Sequence, residues 1–199
     1  VSIAPELVRQ LRQETGVGIM DCKRALQEAN GDIEGARKIL REEGKAAMSE
    51  LASRSATEGL IEAYIHHNAK VGVLLQIDCE TDFTAKNDEF KEFARNIAMH
   101  IAAAVPPPRY INPEDVPQDV IDNEKEIFLA QAEKEGKGEK AEMIIEGRIN
   151  KMYGEICLMK QPYVLDPDGK SKIEDVLGEL VGKIGENIKI SNFARYQVG

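Results

Sequence analysis

Midway along the chain, Asp78, Cys79, Glu80, Thr81, Asp82, Phe83 and Thr84 interrupt an otherwise apolar alternation. An aromatic ring set between acids at the end of a strand-like run can turn inward and cap the local core, with Asp82 bonding nearby amides. Alternatively, it is presented outward as a wedge for a partner. The carboxylates of Asp78, Glu80 and Asp82 could in principle hold a hard cation through oxygen. Alternation keeps them on one side only while the strand lasts, and no further ligand follows at a defined spacing. A solvated acidic edge is the plainer reading, and no metal site is assigned. His66 and His67, as neighbours on a strand, are expected to point to opposite faces and not to share a metal, and His100 fits a packing position on a helix.

A nucleophile with its base finds no foothold: Ser and Thr are scattered without a G-x-S-x-G turn, and no phosphate-cradling glycine loop is present. The run Gly16-Val17-Gly18 before Asp21 lacks the preceding strand that a dinucleotide site needs. These absences argue against an enzyme. The same turn continues into Ile19 and Met20, which either complete a small local core or stand exposed between two helices, where a flexible Met suits an adaptable contact.

The elements that must position these residues follow from hydrophobic period. Leu7, Val8 and Leu11, then Ala25, Leu26 and Ala29, then Ile33, Ala36 and Leu40 recur at helical spacing and predict a three-helix module over residues 1–44. Gly16 and Gly18 punctuate its first turn, Asn30-Gly31 ends the second helix, Asp32 caps the third and Gly44 closes it. Residues 45–57 are polar and Ala/Ser-rich and read as a helical connector. From Gly59 the period becomes two: Ile61, Ala63 and Ile65, then Val71, Val73, Leu75, Ile77 and Cys79, joined through His67-Asn68-Ala69-Lys70 as an antiparallel hairpin. Asn87 caps a helix with an apolar stripe of Phe90, Phe93, Ala94, Ile97, Ala98 and Ile101 that Pro106-Pro107-Pro108 ends. Two charged helical patterns, Gln118 to Glu135 and Glu139 to Lys160, flank Gly136-Lys137-Gly138 and pair as a helical hairpin. A helix over Ile173 to Val181 and a strand over Ile188 to Val198 complete an α+β core, residues 58–199, with a small antiparallel sheet of about three strands.

Composition sets the class of partner. With 35 acidic against 26 basic side chains and a net charge of −9, the chain is not built to ride a nucleic-acid backbone. Its apolar runs are too short to cross a bilayer and no signal-like segment opens it, so a cytoplasmic location without membrane contact is expected. Cys22, Cys79 and Cys157 are odd in number and widely spaced, which predicts reduced thiols.

The segments Thr15 to Leu26, Tyr64-Ile65-His66-His67-Asn68, Cys79-Glu80-Thr81-Asp82-Phe83 and Lys183-Ile184-Gly185-Glu186-Asn187-Ile188 occur in the order in which elongation factor Ts carries them. The chain resembles that family from residue 4 to 198. The resemblance implies a ubiquitin-associated-like N-terminal module that docks on the nucleotide-binding domain of elongation factor Tu through Val17, Gly18, Ile19, Met20 and Lys23. It further implies that Thr81, Asp82, Phe83 and Thr84 intrude beside the partner's nucleotide site, displacing Mg²⁺ and releasing GDP, with no cofactor of the chain's own. Thr84 departs from the Val common in the family at that place, which softens packing and leaves the wedge. The chain is too short for the second core half and extra module of longer members, and short members compensate by pairing, which implies a homodimer through the sheet edge. Two rivals remain: an adaptor that uses the three-helix module alone, and a metal-dependent hydrolase built on Asp78, Glu80 and Asp82.

Overall fold

The computed structural model describes residues 3–134 and 141–199. Its contacts fall into two compact units, one formed by Val1–Ala63, Leu74–Arg95 and Glu174–Phe193, the other by Tyr64–Val73, Asn96–Ile173 and Ala194–Gly199. The secondary structure is α+β, with three N-terminal helices, a three-stranded antiparallel sheet in the order β1-β2-β3 and further helices.

The first unit opens with helices α1 (Pro5–Thr15), α2 (Ile19–Glu28) and α3 (Ile33–Leu51). Val8 and Leu11 of α1, Cys22, Ala25 and Leu26 of α2, and Ala36 and Leu40 of α3 bury together as one cluster; of the residues that the helical period predicts, Leu7, Ala29 and Ile33 are only partly buried against it, and Cys22 is an addition. The chain leaves α1 through Gly16 at φ 68°, whose N–H donates to the Arg12 carbonyl, a conformation glycine reaches without a Cβ penalty. Asp32 caps α3 by accepting the Gly35 N–H at 2.9 Å, as its place in the sequence predicts.

Gly44 does not close the third helix, which runs on to Leu51 and absorbs the first part of the expected connector. The glycine serves a different purpose. A Cβ on Gly44 would stand 2.6 Å from the Gly178 carbonyl oxygen, and Gly182 lies against the Gly44 Cα. Missing side chains thus let α3 cross α8 (Ile173–Ile184) backbone to backbone, so this glycine marks a close approach and not a stop. Lys45 flanks the crossing, its ammonium 2.6 Å from the largely buried Asp175 carboxylate.

Strands β1 (Glu58–Ile65), β2 (Val71–Cys79) and β3 (Lys189–Gln197) make the sheet. Val73, Leu75, Ile77 and Cys79 of β2 are buried, as alternation predicts. In β1 the alternation holds but the apolar face is the outer one: Ile61 is 71% and Ile65 67% exposed. Period two assigns residues to faces and does not say which face meets the core.

In the second unit, α6 (Gln118–Lys134) packs against α7 (Ala141–Ile156) as a helical hairpin. The expected Gly136-Lys137-Gly138 turn lies outside the described residues. The helix α7 ends at Ile156, short of the expected Lys160, and the chain continues as a 3-10 turn over Leu158–Lys160 with Leu158 and Met159 buried. Backbone bonds from Leu158 to the Tyr110 carbonyl (2.9 Å) and from Met159 to that of Ile111 (3.0 Å) anchor it. Helix α5 (Asp88–Ala103) contributes Ile97, Ala98, His100 and Ile101 to this interior, and Arg195 of β3 donates to the Ile101 and Ala102 carbonyls at its end.

The His100 ring is fully buried. Its Nδ1 accepts the Val164 N–H at 3.3 Å, which leaves Nε2 to donate to the Gln161 Oε1 at 2.9 Å. The Gln161 amide in turn donates to the Glu155 and Pro106 carbonyls, so every polar atom of the chain of bonds has a partner. Burial pushes the His100 pKa below its ordinary value. Cys22, Cys79 and Cys157 are free and buried, and burial raises all three thiols, Cys79 and Cys157 to about 11. No helix among the described residues is long and apolar enough to cross a membrane.

Candidate partner-binding site

The segment after β2 is not an open loop. Thr81 is extended and its hydroxyl accepts the Thr84 N–H at 3.3 Å, which starts a short helix, α4 (Asp82–Lys86). Thr84 faces inward and is buried. Phe83, one position earlier, points the other way and is 81% exposed. The inward alternative for this ring therefore fails, because the helical turn gives the single buried place to Thr84. Asp82 likewise turns to a side chain, pairing with Lys86 one turn on at 2.6 Å, and the ammonium holds its carboxyl below the usual range. Asn87 ends α4 and begins α5, its Oδ1 accepting the Glu89 N–H at 2.8 Å, so the predicted cap is present.

The base of this turn is held from a distant part of the chain. After α8, Gly185 at φ 77° turns the backbone so that Glu186 and Asn187 face residues 80 and 81. Glu186 Oε2 accepts the N–H groups of Glu80 (3.2 Å) and Thr81 (3.1 Å), and its Oε1 accepts the Thr81 hydroxyl at 2.7 Å. Glu80 Oε1 reciprocates by accepting the Asn187 N–H at 2.6 Å, while the Asn187 amide donates to the Arg54 carbonyl at 2.7 Å. The buried Cys79 thiol donates to the Thr81 carbonyl.

Asp78, Glu80 and Asp82 diverge to different partners. Asp78 bonds Ser191 and Gln76, Glu80 bonds Asn187, and Asp82 bonds Lys86. No metal-holding cluster of His, Cys, Asp and Glu exists among the described residues. The histidine expectation needs correcting: His66 and His67 lie beyond the end of β1, in the hairpin turn, and their rings sit 4.2 Å apart instead of on opposite faces.

In the N-terminal module, Val17 packs against the helical core, and its carbonyl accepts the Cys22 thiol. Gly18 begins α2, and from that first turn Ile19 (54% exposed), Met20 (70%) and Lys23 project to solvent. The alternative that Ile19 and Met20 complete the core is excluded, since Val8, Leu11, Cys22, Ala25 and Leu26 already fill it. Lys183 of α8 lies over the preceding turn, where a Cβ on Gly16 would collide with its ammonium, and pairs with Glu89 of α5 at 2.5 Å. The run Lys183 to Ile188 carries the family resemblance, but its sequence implies no role for Glu186. Bonds that span about a hundred residues leave no local periodicity to find.

The family model described as Elongation factor TS matches residues 38–199. The Elongation factor Ts of Carboxydothermus hydrogenoformans is 54% identical over 198 residues, covering 99% of this chain and 89% of the relative. That of Caldanaerobacter subterraneus subsp. tengcongensis is 52% identical, covering 99% and 97%, and that of Geobacter sulfurreducens 50% over 200 residues, covering 100% and 91%. The chain belongs to the elongation factor Ts family. As a member it is a translation factor and a non-catalytic nucleotide exchange factor for elongation factor Tu, and the hydrolase reading falls away. The exposed Phe83 and the exposed Ile19 and Met20 belong to the segments for which the resemblance to elongation factor Ts implies partner contacts.

Proposed function

We propose that this elongation factor Ts releases GDP from elongation factor Tu by setting the turn Thr81, Asp82, Phe83 and Thr84 beside the partner's Mg²⁺ site and displacing the ion. The observation that carries the reading is Phe83: a large ring left in water at the start of a short helix whose base is fixed by Glu186. An exposed aromatic on a fixed support is suited to fill a partner's pocket, because little entropy is lost when it docks. Asp82 brings a carboxylate to the same turn, where it competes for a cation's surroundings. Mg²⁺ bridges phosphate oxygens and protein ligands, so its loss removes much of the electrostatic hold on the nucleotide. A thousandfold faster release corresponds to a barrier lower by about 4 kcal/mol, within reach of a desolvated aromatic anchor plus an expelled ion. Linkage makes the effect mutual: the factor weakens nucleotide binding as much as the nucleotide weakens the factor's.

Val17, Gly18, Ile19, Met20 and Lys23 form the docking surface in this proposal, with Ile19 and Met20 as its apolar contacts and Lys23 its charge. Pairing into a homodimer belongs to the same reading. It is supported by β1, an edge strand whose outward face carries Ile61 and Ile65.

Stopped-flow release of a fluorescent GDP from elongation factor Tu, with this chain and with Phe83→Ala across a Mg²⁺ titration, tests the mechanism. Acceleration that largely disappears in the variant supports the wedge. Equal acceleration by both proteins leaves exchange intact and removes Phe83 from it. No acceleration at saturating concentration would favour the adaptor.

A further inference from the structure

We infer that Glu186 is the positioning residue of the exchange wedge, acting through the turn that carries Phe83 without touching the partner's nucleotide or ion; this rests on the wedge reading above. The geometry is a two-pronged clamp. One carboxylate oxygen takes the adjacent N–H groups of Glu80 and Thr81, and the other takes the Thr81 hydroxyl. That hydroxyl is itself the cap of α4, accepting the Thr84 N–H while it donates to Glu186. Glu186 therefore fixes the rotamer of the side chain that starts the helix. Phe83 stands within the first turn and inherits its direction from that cap.

The hold is reciprocal. Glu80 accepts the Asn187 N–H, and Asn187 reaches the Arg54 carbonyl just beyond α3. The segment that holds the wedge thus also meets the far end of the long helix from the docking module. Three residues earlier, Lys183 covers the Gly16 turn that leads into Ile19 and Met20, and pairs with Glu89. A single stretch, Lys183 to Asn187, is bonded or packed to both partner-facing segments. Its most constrained member is Glu186, whose two oxygens meet three donors.

A charged acceptor of backbone N–H groups makes stronger bonds than a neutral one, and a loosened turn lets Phe83 sample directions that miss its pocket. Glu186→Ala removes all three bonds. Glu186→Gln keeps one oxygen for the paired N–H groups and offers its amide to the Thr81 oxygen, so it is the conservative rescue.

Both variants, Phe83→Ala and the double variant Phe83→Ala with Glu186→Ala are measured by stopped-flow GDP release over a range of factor concentration. The maximal rate of Glu186→Ala is expected to fall about tenfold to a hundredfold, with the half-saturating concentration nearly unchanged and most of the rate restored in Glu186→Gln. The double variant should match Phe83→Ala, because a residue that works through the wedge has nothing to position once the ring is gone. Amide hydrogen exchange of the free chain should show faster exchange at Glu80, Thr81 and Thr84 in Glu186→Ala, with the helical core still protected. A wild-type maximal rate in Glu186→Ala overturns the inference, as does a loss that is multiplied unchanged in the double variant or that accompanies global loss of protection. If Phe83→Ala accelerates release as well as wild type, the wedge reading itself fails. Unchanged protection at Glu80 and Thr81 would instead reject the clamp and leave the wedge standing.

Discussion

Phe83 leaves most of its ring in water, forgoing about 1.5 to 3 kcal/mol that burial of such a side chain supplies. Folding gains nothing from it, so Phe83→Ala is expected to leave the midpoint of denaturant unfolding within about 0.5 kcal/mol of wild type. In the exchange assay the same change should slow maximal release about thirtyfold or more, the size of effect expected of an aromatic anchor worth at least 2 kcal/mol. His100 makes the opposite kind of prediction. Its folded pKa lies below the ordinary value of 6.5, so the neutral ring is the native form. Stability from this group is complete above pH 6.5 and declines as pH falls through 6.5 toward the folded pKa, because the unfolded chain takes up the proton first. Thermal melts at pH 7.5 and 5.5 should show wild type losing stability on acidification, by at most about 1.4 kcal/mol per pH unit from this residue. A His100→Gln variant should be less stable at both and flatter between them. The sequence marked Phe83 as a ring that must go somewhere. Its direction was undetermined because it depends on which residue of the first turn of α4 takes the buried place, and Thr84 takes it.

Helix α3 shows where local reading succeeds and where it stops. The Asp32 cap and the spacing of Ile33, Ala36 and Leu40 suffice to start it, since both signals act within a few residues. Its length is not local information, because a glycine inside a helix and a glycine ending one look alike in sequence, and only the approach of Gly178 separates them. Gly44→Ala should therefore behave unlike a favourable Gly to Ala change in an exposed helix. The added methyl meets the Gly178 carbonyl, and urea unfolding is expected to show a loss of about 1 to 3 kcal/mol, the usual range for overpacking. Greater stability in this variant would mean that the crossing relaxes without strain. The alternation of β1 and β2 is equally plain, yet the side of β1 that meets water follows from its register against β2 and from which face of the sheet is covered, which no window of sequence contains. The clamp around Thr81 was invisible for the same reason: its two halves are far apart in the chain.

At the scale of the whole molecule, the proposed division of labour is that the docking turn sets affinity while the wedge sets rate. Met20→Asp should then raise the concentration of factor needed for half-maximal GDP release about tenfold or more and leave the maximal rate nearly intact, the reverse of Phe83→Ala. The proposed homodimer predicts a melting temperature that rises with protein concentration and a sedimentation weight-average above that of one chain, and Ile61→Lys should abolish both. The three buried thiols give the molecule a further property. With Cys22, Cys79 and Cys157 enclosed and their pKa values raised, the native protein carries almost no thiolate to meet a maleimide. A single cysteine introduced on an exposed helical face would accept a fluorophore alone, so the native background is already dark and the motion of any one surface can be followed by light without first removing a core residue.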